Sequence, residues 1–174
     1  MDTTTAAAFS CITSSLDAPL IVVTVAVDGE RAGCLVGFHS QSSIEPRRYS
    51  VWLSKANHTY RVATRAAHLG IHLLTADDLP LAERFGTLTG DDTDKFAALD
   101  VGDSPDGVPE LRVVPNRLVL RRTALLDEGG DHVCVAGEVI SAVGTGPFTP
   151  LRLAAAAHLR PGHSADDVSP DSSG

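Results

Sequence analysis

The run Leu20-Ile-Val-Val-Thr-Val-Ala-Val27 carries six β-branched residues in eight positions and stops at Asp28-Gly29. Side chains branched at Cβ are stiff and suit a pleated surface. Asp-Gly accepts the positive φ angles of a tight hairpin turn. The pair therefore specifies a strand, a turn and a return strand from Arg31 to about Phe38.

The remaining pattern extends this hairpin into a sheet. Tyr49 to Ser54, His68 to Thr75, Asn116 to Leu126 and His132 to Val143 read as strands, the last two joined at Glu128-Gly129-Gly130. Three helices interrupt them. Thr3 to Leu16 places Phe9, Ile12 and Leu16 at spacings of three and four and is expected to pack on the sheet, with Pro19 ending it. Asn57 to Ala67 begins with Asn57 as N-cap, and Asp77 or Asp78 caps a helix running to Phe85, with Gly86 marking its end. Between Thr87 and Pro115 the composition turns to Gly, Asp, Pro and Thr, with one apolar knot at Phe96 and Leu99. This stretch reads as a long surface excursion. Thr149 to His158 has helix propensity. Helices inserted among strands, without regular alternation, favour a mainly β, antiparallel barrel over a doubly wound parallel sheet.

At 174 residues with 43% hydrophobic content, the chain suits one domain over residues 1–160, followed by a Ser-, Asp- and Gly-rich tail at 161–174 expected to be disordered. The formal net charge of −8 argues against nucleic acid or an anionic membrane as partner. Cys11, Cys34 and Cys134 are odd in number and lack CxxC spacing, so reduced thiols in a cytoplasmic protein are expected. The apolar runs are too short to span a bilayer. His68 and His72 lie on a strand with no third ligand placed beside them, and no metal site is expected. There is no G-x-S-x-G elbow, Walker loop or G-x-G-x-x-G.

Two polar stretches carry the binding chemistry. Gly37 to Pro46 breaks the sheet pattern with Ser40, Gln41, Ser42 and Ser43, short groups that either meet the edge of a planar polar ligand or bond their own backbone. Lys55 to Arg61 sets two cations beside Asn57 and Thr59 at a helix start, a pattern suited to a phosphate or to a plain capped surface helix.

The S-x-x-P of Ser43 to Pro46, the K-x-x-x-T of Lys55 to Thr59, Gly130-Asp131-His132, Leu81-Ala82-Glu83-Arg84-Phe85 and Asp94-Lys95-Phe96 together resemble the flavin reductase-like family, from about Asp17 to His158. The resemblance implies an antiparallel split β-barrel of Greek-key type that reduces FMN or FAD with NADH or NADPH. It implies ring-binding residues at Gly37, Phe38, His39, Ser40, Gln41, Ser42, Ser43 and Pro46, and phosphate contacts at Lys55, Asn57, His58, Thr59 and Arg61. His132 is implied at the nicotinamide, where it would position more than ionise. The implied assembly is a homodimer that passes diffusible reduced flavin to a flavin-dependent monooxygenase. The rivals are a flavin- or deazaflavin-binding split barrel with another redox reaction and a non-enzymatic sensor.

Overall fold

The computed structural model describes residues 2–90 and 93–159. The expected tail at 161–174 lies outside the described residues. Its strands are β1 (Ile21–Val27), β2 (Glu30–Val36), β3 (His39–Ser43), β4 (Arg48–Ser54), β5 (His68–Leu73), β6 (Val101–Asp103), β7 (Pro109–Leu111), β8 (Arg117–Leu126) and β9 (His132–Val143). The α-helices are α1 (Thr3–Ser14), α2 (His58–Ala63) and α3 (Leu79–Thr87). Seven strands form one sheet in the order β2-β1-β5-β8-β9-β4-β3, with every pairing antiparallel, and β6 pairs with β7 apart from it. The fold is mainly β, as the strand pattern implies. The sheet curls so that β2, at one edge, approaches β4 near the other.

The β1 run is apolar throughout because it faces two cores. Ile21, Val23 and Val25 pack with Val62 and Ala63 of α2, and Leu20 and Val22 pack with Leu81, Ala82 and Phe85 of α3. The hairpin turn has φ of 52° at Asp28 and 81° at Gly29, the two positive values that Asp-Gly supplies at least cost. Close helix packing relies on small residues in β2 and α3. A Cβ on Gly33 would lie 2.7 Å from Phe85 Cε1, and one on Gly86 would lie 2.9 Å from Leu35 Cδ2.

Four expectations from sequence need correction. First, α1 is helical but buries none of its residues: Phe9, Ile12 and Leu16 are 61%, 65% and 70% exposed. Asp2 caps it by accepting from the Thr4 and Thr5 amides, so local bonding forms a helix that the sheet does not cover. It ends at Ser14, well before Pro19. Second, the polar stretch after β2 is no simple loop, since His39–Ser43 pairs with β4 as an edge strand. Third, the segment from 87 to 115 is not wholly superficial: Phe96, Val108, Leu111 and Val114 are buried. Fourth, α2 stops at Ala63 and α3 runs through Gly86 to Thr87, while the Asp78 carboxylate accepts from the Thr75 amide and hydroxyl. Near the end, Leu153–Ala156 forms a 3₁₀ turn, and bridges at Pro19–Arg152 and Thr75–Pro150 tie that segment to the body.

Two buried polar residues hold β7 to the sheet. The Thr24 hydroxyl donates to the Pro109 carbonyl at 2.6 Å, and Gly70 leaves room for it, because a Cβ there would lie inside contact distance of Thr24 Oγ1 and 2.9 Å from Val108 Cγ1. His72 bonds the Val22 carbonyl through Nδ1 at 3.2 Å and accepts the Leu111 amide at Nε2 at 3.0 Å, which requires the neutral Nδ1–H tautomer. Burial drives this imidazole from 6.5 down to about 4, against the opposing Val22 carbonyl.

Gly70→Ala should therefore cost about 1–3 kcal/mol in urea unfolding, through overpacking. The His72 contribution depends on pH with a definite sign. The unfolded imidazole takes up a proton below about pH 6.5, whereas the folded one does so only near 4. Stability from this group is thus complete above pH 6.5 and falls as pH drops towards 4, by up to about 3 kcal/mol. Unfolding curves between pH 4 and 7 should show this slope, and His72→Gln should flatten it.

Candidate functional site

β4 hydrogen-bonds on both sides, and this decides which side chains meet. Its register sets Ser54 opposite His132 and Trp52 opposite Cys134, while the Trp52 amide donates to the Phe38 carbonyl at 2.9 Å. Alternation along the strand sends Val51 and Leu53 into the core and leaves Trp52 and Ser54 half-buried. Trp52, Leu53 and Ser54 border a cavity of about 620 Å³ at the seam between β2 and β4. Cys34, Leu35, Val36 and Gly37 line it from β2 and the residue after it, Phe85 and Gly86 from α3, and Leu20, Leu153 and Ala156 from the two chain segments bridged beside it. Its polar side chains include Ser54, Asn57 and His132.

The His132 ring meets Phe38 edge-on, with centroids 5.3 Å apart and planes at 63°. His132 Nδ1 lies 3.0 Å from Asp131 Oδ1, and this contact holds the Asp131 carboxyl below its ordinary value. The Asp131 carbonyl in turn accepts the Lys55 amide at 2.9 Å. Lys55 Nζ lies 2.8 Å from Asp127 Oδ2, whose carboxyl is lowered first by Lys55 and then by the Gly129 amide. A chain of local bonds therefore fixes His132 at the cavity mouth.

The residues singled out from sequence fall into three groups. Gly37, Phe38, Asn57 and His132 line the cavity. His39, Ser40, Gln41, Ser42, Ser43 and Pro46 belong to β3 and the β3–β4 turn. His39 is engaged with the Pro19 carbonyl at 2.9 Å through Nε2 and with Tyr49 Oη at 2.6 Å through Nδ1. The Pro19 carbonyl accepts, so Nε2 carries the proton and the Tyr49 hydroxyl donates to Nδ1. Burial lowers the His39 pKa and raises that of Tyr49. Ser40 donates to the Gln41 carbonyl, Gln41 Nε2 to the Ser43 carbonyl, and Ser50 to the Ser42 hydroxyl. These polar groups satisfy one another along the edge strand.

The third group surrounds α2. Asn57 Oδ1 accepts the Thr59 amide at 3.0 Å, as an N-cap should. Thr59 is only 1% exposed, with its hydroxyl against the Cys34 thiol, so it stands behind the cavity wall and does not line it. Burial pushes that thiol up to about 11 despite the Thr59 bond, and Cys34 faces the cavity as a neutral, unreactive group. His58 meets Glu30 at 3.2 Å and Arg61 at 3.2 Å, tying α2 to β2 beside a second cavity of about 570 Å³. That cavity also touches Arg31 and the buried Lys95, whose Nζ donates to the Gly33 and Phe85 carbonyls. Sequence reasoning missed Leu35, Ser54 and Gly86 as lining residues. The alternation of β4 does place Ser54 on the face of Trp52, and that signal was available.

The flavin reductase like domain family matches residues 13–155. The chain belongs to this family. It is 30% identical over 121 residues to the stachydrine N-demethylase reductase subunit Stc3 of Rhizobium meliloti, covering 67% of this chain and 51% of Stc3. It is 31% identical over 121 residues to the FMN reductase (NADH) SmoA of Agrobacterium fabrum, covering 70% of this chain and 67% of SmoA. The chain thus spans about half the length of the first relative and two thirds of the second. Among solved structures, a nitrilotriacetate monooxygenase component B homolog from Mycobacterium thermoresistibile superposes with a TM-score of 0.73 at 19% identity, covering 83% of this chain and 79% of that one. That likeness concerns the fold.

Asn57 serves both the helix and the cavity, whereas the Lys55–Asp127 pair is half open to solvent. Asn57→Ala should lower unfolding free energy by about 1 kcal/mol through the lost cap. Lys55→Ala should change it by less than about 1 kcal/mol. Paired urea titrations check both.

Proposed function

We propose that this flavin reductase-like domain uses NADH or NADPH to reduce FMN or FAD and releases the reduced flavin to a partner monooxygenase. The observation that carries the reading is the cavity at the β2–β4 seam. Its walls are mostly apolar, with Ser54, Asn57 and His132 among its few polar side chains, and its size falls within the roughly 300–1,000 Å³ of small-ligand pockets. This composition fits a planar heterocycle with one polar edge. Leu20, Leu35, Trp52 and Phe85 would hold its faces and Asn57 and Ser54 its polar groups. A bound flavin would supply the hydride acceptor.

The chain's own residues then have two tasks. The apolar walls exclude water, which strengthens every polar contact inside. His132, oriented through Asp131, presents its other ring nitrogen to a ligand at the mouth and fixes the approach of a nicotinamide without exchanging a proton. SmoA, by name an NADH-dependent FMN reductase, supports this chemistry, and Stc3, by name the reductase subunit of an N-demethylase, supports service to a separate catalytic component.

A homodimer belongs to the same proposal. Phe9, Ile12 and Leu16 stay 61–70% exposed along one segment, apolar side chains that a second copy would cover. No helix among the described residues is long and apolar enough to cross a membrane. A cytoplasmic setting, where nicotinamide nucleotides are available, completes the reading.

Oxidation of NADH and of NADPH, followed by absorbance with FMN, FAD or riboflavin, tests it. Turnover dependent on added flavin is expected, whereas flavin binding without turnover would point to a sensor. Under the same assay, His132→Ala should lower kcat/KM for the nucleotide by roughly tenfold to a hundredfold, with flavin affinity nearly unchanged. An unaltered rate beside a lowered melting temperature would make His132 a structural residue. Light scattering should give twice the monomer mass.

A further inference from the structure

We infer that Phe38 is the platform on which the donor's nicotinamide ring stacks, so that this residue sets the KM for the donor. The inference rests on the cavity being a flavin and nicotinamide site. Phe38 is 61% exposed although a largely apolar cavity opens beside it, so its ring is held at the mouth instead of filling the interior. The backbone explains why. Only Gly37 and Phe38 separate β2 from β3, and the Phe38 carbonyl accepts the Trp52 amide, so its Cα is pinned between two strand ends. The ring meets the His132 imidazole in a T-shaped contact, which occupies at most one phenyl face, and at 61% exposure the other stays open.

A ligand entering there meets an available aromatic face next to an oriented hydrogen-bonding imidazole. That juxtaposition matches a small planar ring bearing a carboxamide, with the ring against Phe38 and the amide towards His132. The inner wall of Trp52, Leu20 and Leu35 is left for the larger tricyclic ring. A phenylalanine restricts only two torsions, so stacking on it costs little entropy. Its effect should fall on donor binding and not on the flavin.

The test compares wild type with Phe38→Ala, Phe38→Leu and Phe38→Tyr, using saturating FMN and two donors. These are NADH and 1-benzyl-1,4-dihydronicotinamide, which keeps the nicotinamide and lacks the nucleotide. Phe38→Ala and Phe38→Leu should raise KM for both donors by roughly threefold to tenfold, the range of an aromatic pair. The maximal rate and the FMN dissociation constant should stay within about twofold, and Phe38→Tyr should restore KM. Melting temperatures confirm folding, which an exposed side chain should not disturb. KM unchanged or lowered in Phe38→Ala would overturn the inference, the lowered value meaning that the ring merely shields the mouth. An equal loss of FMN affinity would also overturn it, placing Phe38 against the flavin. Wild-type protein that shows no turnover with either donor would overturn the flavin reductase reading and this inference together, an outcome distinct from the other two.

Discussion

The curl that brings β2 beside β4 is the constraint on which the rest depends. Antiparallel ladders join every neighbour in the order β2-β1-β5-β8-β9-β4-β3, yet β2 and β4 meet without a ladder between them. A seam not closed by hydrogen bonds leaves room, and the main cavity lies there, with Cys34 and Val36 on one bank and Leu53 and Ser54 on the other. The pairings of β4 with β3 and β9 then bring Phe38 and His132 to the mouth of that seam. Site geometry is thus a consequence of strand register, and a one-residue slip in β4 would turn Trp52 and Ser54 inward.

Helix packing keeps the seam open at a fixed width. α2 and α3 press on the sheet through separate cores, and each contributes to the cavity, Asn57 at the start of α2 and Phe85 with Gly86 along α3. The approach of α3 to β2 depends on Gly33 and Gly86, where any side chain would meet Phe85 or Leu35. The buried Lys95 then bonds the Gly33 and Phe85 carbonyls across the same contact, locking strand to helix. Lys95 and Phe96, quoted among the motifs of the family, therefore act through packing at this junction.

The fold was legible where local chemistry decided it. Asp28-Gly29 announces its own turn, the β-branched run before it announces β1, and Asn57 announces the start of α2. Legibility failed where partners far along the chain decide. The residues of β3 are polar and exposed, so nothing in Ser40 to Ser43 reveals an edge strand until β4 supplies its ladder. Phe96 and Val108 lie in a Gly- and Asp-rich stretch and are buried only because α3, β1 and β5 receive them. The spacing of Phe9, Ile12 and Leu16 predicts a helix but not what covers it. Motif resemblance pointed to segments of which Gly37, Phe38, Asn57 and His132 border the cavity. It could not separate cavity-lining residues from those that brace the edge, such as His39, or stand behind the wall, such as Thr59.

Two cavities flank the start of α2, the larger touching Asn57 and the other His58. The central claim is that the larger one holds the flavin ring. Hydrogen exchange of the intact protein with and without saturating FMN tests it most directly. The account predicts added protection at amides 34–38, 52–57 and 85–86 and little change at 29–31 and 93–96. Protection concentrated at 29–31 and 93–96, with 34–38 and 52–57 unchanged, would contradict it.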